Sequence, residues 1–177
     1  MEWILETERL GFRSLEEEDQ PALKAILGDP EVMYAWEHGF SEEEIRQWIK
    51  ENQRRYKVDG YGYFAAIEKE TEQVVGLMGL LSEHAEQKSQ LGVGYILKKS
   101  HWGRGLAVEG AAGWISYAFE RLNAPKVTAQ IRPSNIASQQ VARRLGMKEG
   151  EAFIKRYRGK DMVHILYVLE KPDFYQR

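Results

Sequence analysis

The sequence predicts one α+β domain, residues 1–177, in which helices pack on a mixed β-sheet. Short apolar stretches bounded by turn residues alternate with segments of helical periodicity, which is the pattern of such a domain. The length of 177 residues is enough for one compact core. Hydrophobic residues make up 43% and charged residues 29% of the chain, which is the balance of a folded globular protein.

The first elements are a strand and a helix. Residues 9–15 are predicted to form the strand. Ser14 and Glu17 then match a capping box, which predicts a helix that runs to about Leu27 and is ended by Gly28.

A second capping box, Ser41 with Glu44, opens another helix. Its apolar residues recur at helical spacing: Ile45, Trp48, Ile49 and Tyr56. Three strands are predicted next, the last one after a polar loop at 83–89: 63–68, 74–82 and 91–97.

The second half of the chain continues the alternation. One face of a long helix is marked by Val108, Ala111, Ala112, Ile115, Phe119 and Leu122. A strand at 126–131 precedes a short helix at 135–145, which Gly146 is expected to end. Two final strands are predicted at 152–157 and 162–169.

Composition excludes several kinds of protein. The chain has no cysteine, so disulfides, thiolate nucleophiles and cysteine metal sites are ruled out. The N-terminal segment has no apolar run of signal length, and no stretch approaches the roughly 18 apolar residues of a membrane helix. We therefore expect a cytoplasmic protein with no membrane partner.

Charge is unevenly distributed, although the net charge is only −2. Residues 1–50 hold 13 Asp and Glu against 5 Lys and Arg, whereas the remainder holds 14 against 20. The basic part could attract a phosphate-rich ligand, but two solvated faces are the simpler interpretation. Nucleic acid is not expected as a partner, because the basic residues are scattered.

The stretch 101–110 places two glycines, Gly103 and Gly105, at the entrance to a predicted helix. The first N–H groups of a helix have no partners within it and, with the helix dipole, favour anions. Glycine lets the backbone approach a phosphate and adopt positive φ. The turn therefore holds a phosphate or pyrophosphate, or is a plain turn. It is no P-loop, and Leu97 breaks the dinucleotide pattern begun at Gly92.

Three separated motifs resemble the GNAT superfamily of acetyl-CoA-dependent N-acetyltransferases. The run "WGRGLA" resembles the family pattern Arg/Gln-x-x-Gly-x-Gly/Ala, with Trp102 in place of its first residue. The segments "GYILKKSHWGRGLAVEG" and "RPSNIASQQVARRLGMKEGE", with both ends of the chain, are similar to the branch of ribosomal-protein N-terminal (alanine) acetyltransferases. The resemblance implies a GNAT-like acyl-CoA N-acyltransferase fold with a mostly antiparallel central sheet.

The resemblance also implies acetyl-CoA as cosubstrate and no metal. Tyr95, Ile96 and Leu97 match the strand whose backbone binds the pantetheine arm in the family. The pyrophosphate loop is matched by Trp102, Gly103, Arg104, Gly105, Leu106 and Ala107. Asn135 matches an asparagine that bonds the same arm, and asparagine is also well suited to cap a helix.

The implied reaction is direct transfer to a neutral primary amine, which needs no covalent enzyme intermediate. The branch often carries an acid on the cofactor strand, and Gly92 stands where that acid would be. The remaining candidates for the general base are Glu83, His84 and Glu37, with a water relay as the alternative. Ser138 matches a serine near the CoA sulfur and is the candidate donor to the leaving thiolate.

Tyr34, Trp36 and Glu37 fall in the loop between the first two helices, which helps to wall the acceptor site in this family. Acidic neighbours at Glu31 and Glu37 would suit a cationic amine. An α-amine, with a pKa of about 7.7–8.0, loses its proton more easily than a lysine side chain at about 10.4.

The leading interpretation is an N-acetyltransferase acting on a primary amine, for which the resemblance suggests the N-terminal α-amine of a protein such as a ribosomal protein. The same chemistry on an amino acid, a polyamine or an aminoglycoside-like compound stays open. So does a CoA-binding sensor without turnover. The sequence does not give the oligomeric state, for which a monomer or a homodimer is expected.

Overall fold

The computed structural model describes residues 2–85 and 88–176, and for residues 84, 85 and 88 only the backbone. The strands are β1 Leu5–Glu6, β2 Leu10–Arg13, β3 Tyr63–Glu68, β4 Gln73–Ala85, β5 Lys88–Leu97, β6 Lys126–Ile131, β7 Lys148–Tyr157 and β8 Lys160–Glu170. The helices are α1 Gln20–Leu27, α2 Glu42–Val58, α3 Leu106–Glu120, α4 Ile136–Arg144 and α5 Lys171–Tyr175.

In the described part of the chain, the eight strands form one sheet in the order β1-β2-β3-β4-β5-β6-β8-β7. Neighbouring strands are antiparallel except β5 and β6, which are parallel. The predicted α+β class with a mixed, mostly antiparallel sheet is confirmed. Gly92 and Thr128 are the residues paired between the two parallel strands. Beyond Gly92, β5 and β6 line opposite sides of an open cavity.

Helices cover both faces of the sheet. On one face α3 buries Trp114 completely, and its ring stacks on Phe64 at 4.8 Å and meets Phe12 edge-on at 5.5 Å. On the other face α1 and α2 bury Leu23 and Ile49 among residues of β3 and β4. The apolar stripes that predicted the helices therefore become the two layers of the core.

The capping box predicted at Ser41 is confirmed. The backbone N–H of Glu44 donates to Ser41 Oγ at 3.2 Å, and the N–H of Ser41 donates to Glu44 Oε1 at 3.1 Å. Both groups are thus satisfied where α2 begins.

The capping box predicted at Ser14 with Glu17 is wrong. The turn is instead closed by Asp19, whose Oδ2 accepts the N–H of Glu16 at 2.8 Å. Arg13 holds the same carboxylate with two hydrogen bonds, at 2.8 and 2.7 Å. This bidentate pair fixes Asp19 before α1 begins, and the capping box lies at Glu16 and Asp19, two residues later than predicted.

The polar loop predicted at 83–89 is shorter than expected. Strand β4 continues to Ala85 and β5 begins at Lys88, with Glu83 paired to Gln90 across the ladder. Polar residues extend these strands because the ladder supplies their backbone hydrogen bonds. Glu83 therefore lies on a strand of the sheet. No helix among the described residues is long and apolar enough to cross a bilayer.

Candidate active site

A cavity of about 860 Å³ lies between β5 and β6 and extends to the first turns of α3 and α4. Most residues singled out from the sequence line it: Tyr34, Trp36, Glu83, Tyr95, Ile96, Leu97, Trp102, Gly103, Gly105, Leu106, Ala107, Asn135 and Ser138. Residues that are far apart in the sequence, such as Tyr34 and Ser138, thus line the same cavity.

The N-terminus of α3 opens onto this cavity with unused donors. Gly103 and Gly105 have φ of +74° and +77°, which only glycine adopts readily. The N–H of Glu109 makes the first bond of the helix, to the carbonyl of Gly105 at 3.0 Å, and no described side chain caps the helix start. The preceding N–H groups therefore face the cavity, as a pyrophosphate requires.

The loop before α3 is anchored from both sides. The indole Nε1 of Trp102 donates to the carbonyl of Leu97 at 2.9 Å, which ties the loop to β5. Arg9 donates to the carbonyl of Arg104 at 2.9 Å and to the Glu109 carboxylate at 2.7 Å. These contacts fix the loop geometry without occupying the N–H groups of the first helical turn.

The side chain of Arg104 does not line the cavity. Its guanidinium pairs with the buried carboxylate of Glu68 at 3.0 Å. A buried carboxylate is stabilised by a paired cation, and Arg104 is the cation that pairs with Glu68. Arg104 therefore contributes its backbone to the loop. Its side-chain charge pairs with Glu68 on β3 and does not face the cavity.

Asn135 caps α4 as expected. Its Oδ1 accepts the N–H of Ser138 at 3.1 Å and also the hydroxyl of Tyr34. The carbonyl of Ser138 accepts the hydroxyl of Tyr95 at 2.9 Å. Both backbone groups of Ser138 are therefore engaged, which fixes this residue at the cavity wall.

Two glycines on β5 make room for polar groups from neighbouring strands. Gly92 and Gly94 are two residues apart and so share one face of the sheet. A β-carbon at position 92 would lie 2.5 Å from Glu83 Oε1, and one at position 94 would collide with the hydroxyl of Tyr63. The carboxylate that the resemblance places on β5 is thus replaced by a carboxylate reaching across from β4.

Glu83 is a carboxyl group in an unusual electrostatic environment. Its Oε2 is buried and has no hydrogen-bond partner among the described residues. Burial raises the pKa of this carboxyl above the ordinary glutamate value, while the charges of Lys155 and Arg55 oppose the rise. A lone carboxyl with a raised pKa in a cavity is characteristic of catalytic acids and bases.

Comparison with known proteins agrees with this geometry. The family description "Acetyltransferase (GNAT) domain" matches residues 9–148. The chain belongs to the GNAT acetyltransferase family. It is 32% identical over 149 residues to a Bacillus licheniformis protein named "Uncharacterized N-acetyltransferase p20", covering 82% of this chain and 83% of that one.

Solved GNAT structures share the fold. An acetyltransferase of the GNAT family from Bacillus anthracis superposes with a TM-score of 0.80 at 23% identity, over 95% of this chain and 98% of that one. A RimL ribosomal L7/L12 alpha-N-protein acetyltransferase in complex with coenzyme A gives 0.77 at 18% identity, over 96% and 98%. The chain is thus a GNAT N-acetyltransferase, an enzyme of the acyltransferase class.

In this GNAT protein Glu37 is less well placed than Glu83. Glu37 does not line the cavity, and its two oxygens pair with Arg132 at 3.4 Å and Lys160 at 3.2 Å. The hydrogen bond from Lys160 lowers the pKa of Glu37, which makes it a weaker base. The side chain of His84 lies outside the described residues. Glu31, expected to attract a cationic amine, is paired with Lys99.

Sequence reasoning missed three cations that line the cavity: Arg55 on α2, Arg132 after β6 and Lys155 on β7. They lie far apart in the chain and belong to no common motif. In the sequence these cations are indicated only by the excess of Lys and Arg after residue 50. That excess does not identify which of the basic residues line the cavity.

Proposed function

We propose that this GNAT protein transfers the acetyl group of acetyl-CoA directly to a primary α-amine, such as the N-terminus of a protein, and that Glu83 accepts the proton of that amine. The observation that carries the proposal is the Glu83 carboxylate lying over Gly92 in the cavity wall. The RimL protein that shares the fold is named for α-N-protein acetylation, including that of a ribosomal protein, which supports an α-amine acceptor.

The residues of this chain fit acetyl-CoA. The uncapped start of α3 offers N–H donors to phosphate, and β5 offers a strand edge along the cavity. When bound, acetyl-CoA supplies a thioester carbonyl for the amine to attack and a thiol as leaving group. The protein then has two tasks, which are to hold amine and thioester together and to move one proton.

The proton on the amine sets the difficulty of the reaction. At pH 7, deprotonation requires about 1 kcal/mol for an α-amine and roughly 4–5 kcal/mol for a lysine side chain. A carboxyl with an ordinary pKa is a weak base for either. Because burial raises the pKa of Glu83 toward that of the amine, proton transfer to Glu83 becomes more favourable.

Glu83→Gln tests this role. We expect kcat/KM for a short peptide with a free N-terminus to fall about 100-fold, because the amide cannot accept the proton. Acetyl-CoA binding, followed by thermal shift, should be unchanged. The increase of activity with pH that follows ionisation of Glu83 should also be lost. Thiol release from acetyl-CoA, followed with a thiol-reactive dye, measures the rate.

Glu151→Gln is the matched control, since Glu151 is exposed on β7 and does not line the cavity. Unchanged turnover in Glu83→Gln would remove Glu83 from the mechanism in favour of a water relay. Peptides, polyamines, amino acids and aminoglycosides should all be tried with the parent protein. Tight acetyl-CoA binding without thiol release from any of them would show a sensor and overturn the proposed activity.

A further inference from the structure

The cavity wall around Glu83 is positively charged. Three of the four Arg and Lys residues that line the cavity form what we term the cationic wall: Arg55, Arg132 and Lys155. Among the described lining residues, Glu83 is the single carboxylate. The charges of Arg55 and Lys155 both act on Glu83, and those of Lys155 and Arg132 both act on His164, which also lines the cavity.

The partners of two members of the wall do not cancel their charge. Arg55 lies 3.4 Å from Glu51, but this carboxylate is already held by Arg54 at 2.7 Å. Arg132 likewise shares Glu37 with Lys160. In each case two cations share one carboxylate, which leaves a positive surplus beside the cavity.

Lys155 is the most available member of the wall. Its Nζ donates to the amide oxygen of Gln130 at 3.0 Å, and this neutral partner leaves the ammonium charge in place. The residue is exposed on β7 and lines the cavity. An anion that entered the cavity beside Lys155 could therefore bind it without breaking an ion pair with any described carboxylate.

A positive wall disfavours acceptors with additional positive charge and favours acceptors that carry an anionic group. A polyamine, or a peptide with a basic second residue, would bring further positive charge against it. A positive environment also disfavours the ammonium form of an amine, and so favours the neutral nucleophile. An acceptor gains from both effects when it carries an anionic group close to its amine.

From this wall we propose that the acceptor is an α-amine whose own molecule carries a carboxylate within one or two residues of the amine. Lys155 and Arg55 bind this carboxylate through their positive charges. The inference rests on the proposed transfer to an α-amine and narrows its substrate class. The shared chemistry has two sources, an acidic peptide N-terminus and a free acidic amino acid.

The test uses peptides of equal length that begin with serine and continue with aspartate, alanine or lysine, together with free aspartate. We expect kcat/KM to be at least tenfold higher for the aspartate peptide or free aspartate than for the alanine peptide. The lysine peptide should be poorest. The preference should weaken as salt is raised, because exposed charges are screened. Use of the peptide alone, or of the free amino acid alone, identifies the source.

Lys155→Gln should reduce the ratio of kcat/KM for the aspartate peptide to kcat/KM for the alanine peptide at least threefold. Arg55→Gln provides a second variant from a different element. Lys148→Gln is the control, since Lys148 is exposed on the same strand and pairs with Asp173 away from the cavity. It should keep the parent preference.

Failures of the two proposals are distinguishable. Equal or better use of the alanine or lysine peptide overturns the acidic acceptor and leaves the acetyl transfer standing. A preference that survives in both Lys155→Gln and Arg55→Gln overturns the assigned wall. Absence of thiol release in every arm overturns the proposed function and this inference with it.

Discussion

At Gly92 the missing side chain provides space for a neighbour's functional group. A β-carbon there would displace the Glu83 carboxylate, and the same relation holds between Gly94 and Tyr63. The two glycines in "LGVGY" therefore do not serve a phosphate. They let two polar side chains lie flat across β5 and reach the cavity.

Ser138 is a second residue whose role follows from its setting. Both of its backbone groups are hydrogen-bonded, to Asn135 and Tyr95, so its side chain is held at the cavity. We expect Ser138→Ala to lower kcat about tenfold with little change in acetyl-CoA affinity, because the hydroxyl acts on the leaving thiolate. Single-turnover kinetics and a binding titration measure the two quantities.

Ser134→Ala serves as the control for that substitution, since Ser134 is exposed and does not line the cavity. Wild-type kcat in Ser138→Ala would exclude Ser138 from the reaction. Weaker acetyl-CoA binding with normal kcat would assign it to ligand binding instead.

At the scale of elements, the pairing of β4 with β5 decides which residue supplies the carboxylate. The two strands run antiparallel with Leu81 opposite Gly92 and Glu83 opposite Gln90. A side chain from β4 can therefore cover the same face of β5 that an acid on β5 would occupy. We therefore expect the position of the carboxylate to matter more for activity than the strand that carries it.

This equivalence predicts that the carboxylate can be moved between strands. Glu83→Ala should inactivate the protein. The double variant Glu83→Ala with Gly92→Asp should have a kcat/KM about tenfold higher than that of Glu83→Ala. The aspartate carboxyl lies one bond beyond a β-carbon that would sit 2.5 Å from the present Glu83 Oε1. Peptide acetylation rates are measured for both.

Glu83→Ala with Gly92→Ala is the comparison that separates charge from filled space. If the aspartate variant is no faster than the alanine one, position 92 cannot present a base to the amine, and the equivalence of the two strands is wrong.

At the scale of the whole molecule, Glu83 reduces stability near neutral pH. Burial raises its pKa in the folded protein above the ordinary 4.5, so the folded state binds the proton more tightly than the unfolded state. The favourable contribution of Glu83 to the free energy of unfolding is complete below pH 4.5 and is lost as pH rises through the folded-state pKa of this carboxyl. A buried, ionised carboxylate without a described hydrogen-bond partner thus opposes the stability of the fold.

Glu83→Gln should therefore be less active yet more stable at pH 8. Its Tm should exceed that of the parent there, and the difference should shrink as pH falls toward 4.5. Thermal unfolding between pH 4.5 and 8 measures this, with Glu151→Gln expected to follow the parent. A Tm difference that does not vary with pH would mean that Glu83 does not titrate with a raised pKa in the folded state.

Local patterns were sufficient for much of the architecture. Helical periodicity, the capping box at Ser41 and the glycines before α3 each depend on contacts within a few residues, so they can be read along the chain. The turn before α3 belongs to this group, because uncapped N–H groups and positive φ are local properties.

Folding alone decided the charges of the site. Glu31 and Glu37 are paired with cations remote in sequence, Lys99 and Arg132. The cavity, for which acidic neighbours were expected, is instead lined by cations from α2, β7 and the segment after β6. Electrostatic interactions depend on distances through space, and a sequence orders its charges only along the chain.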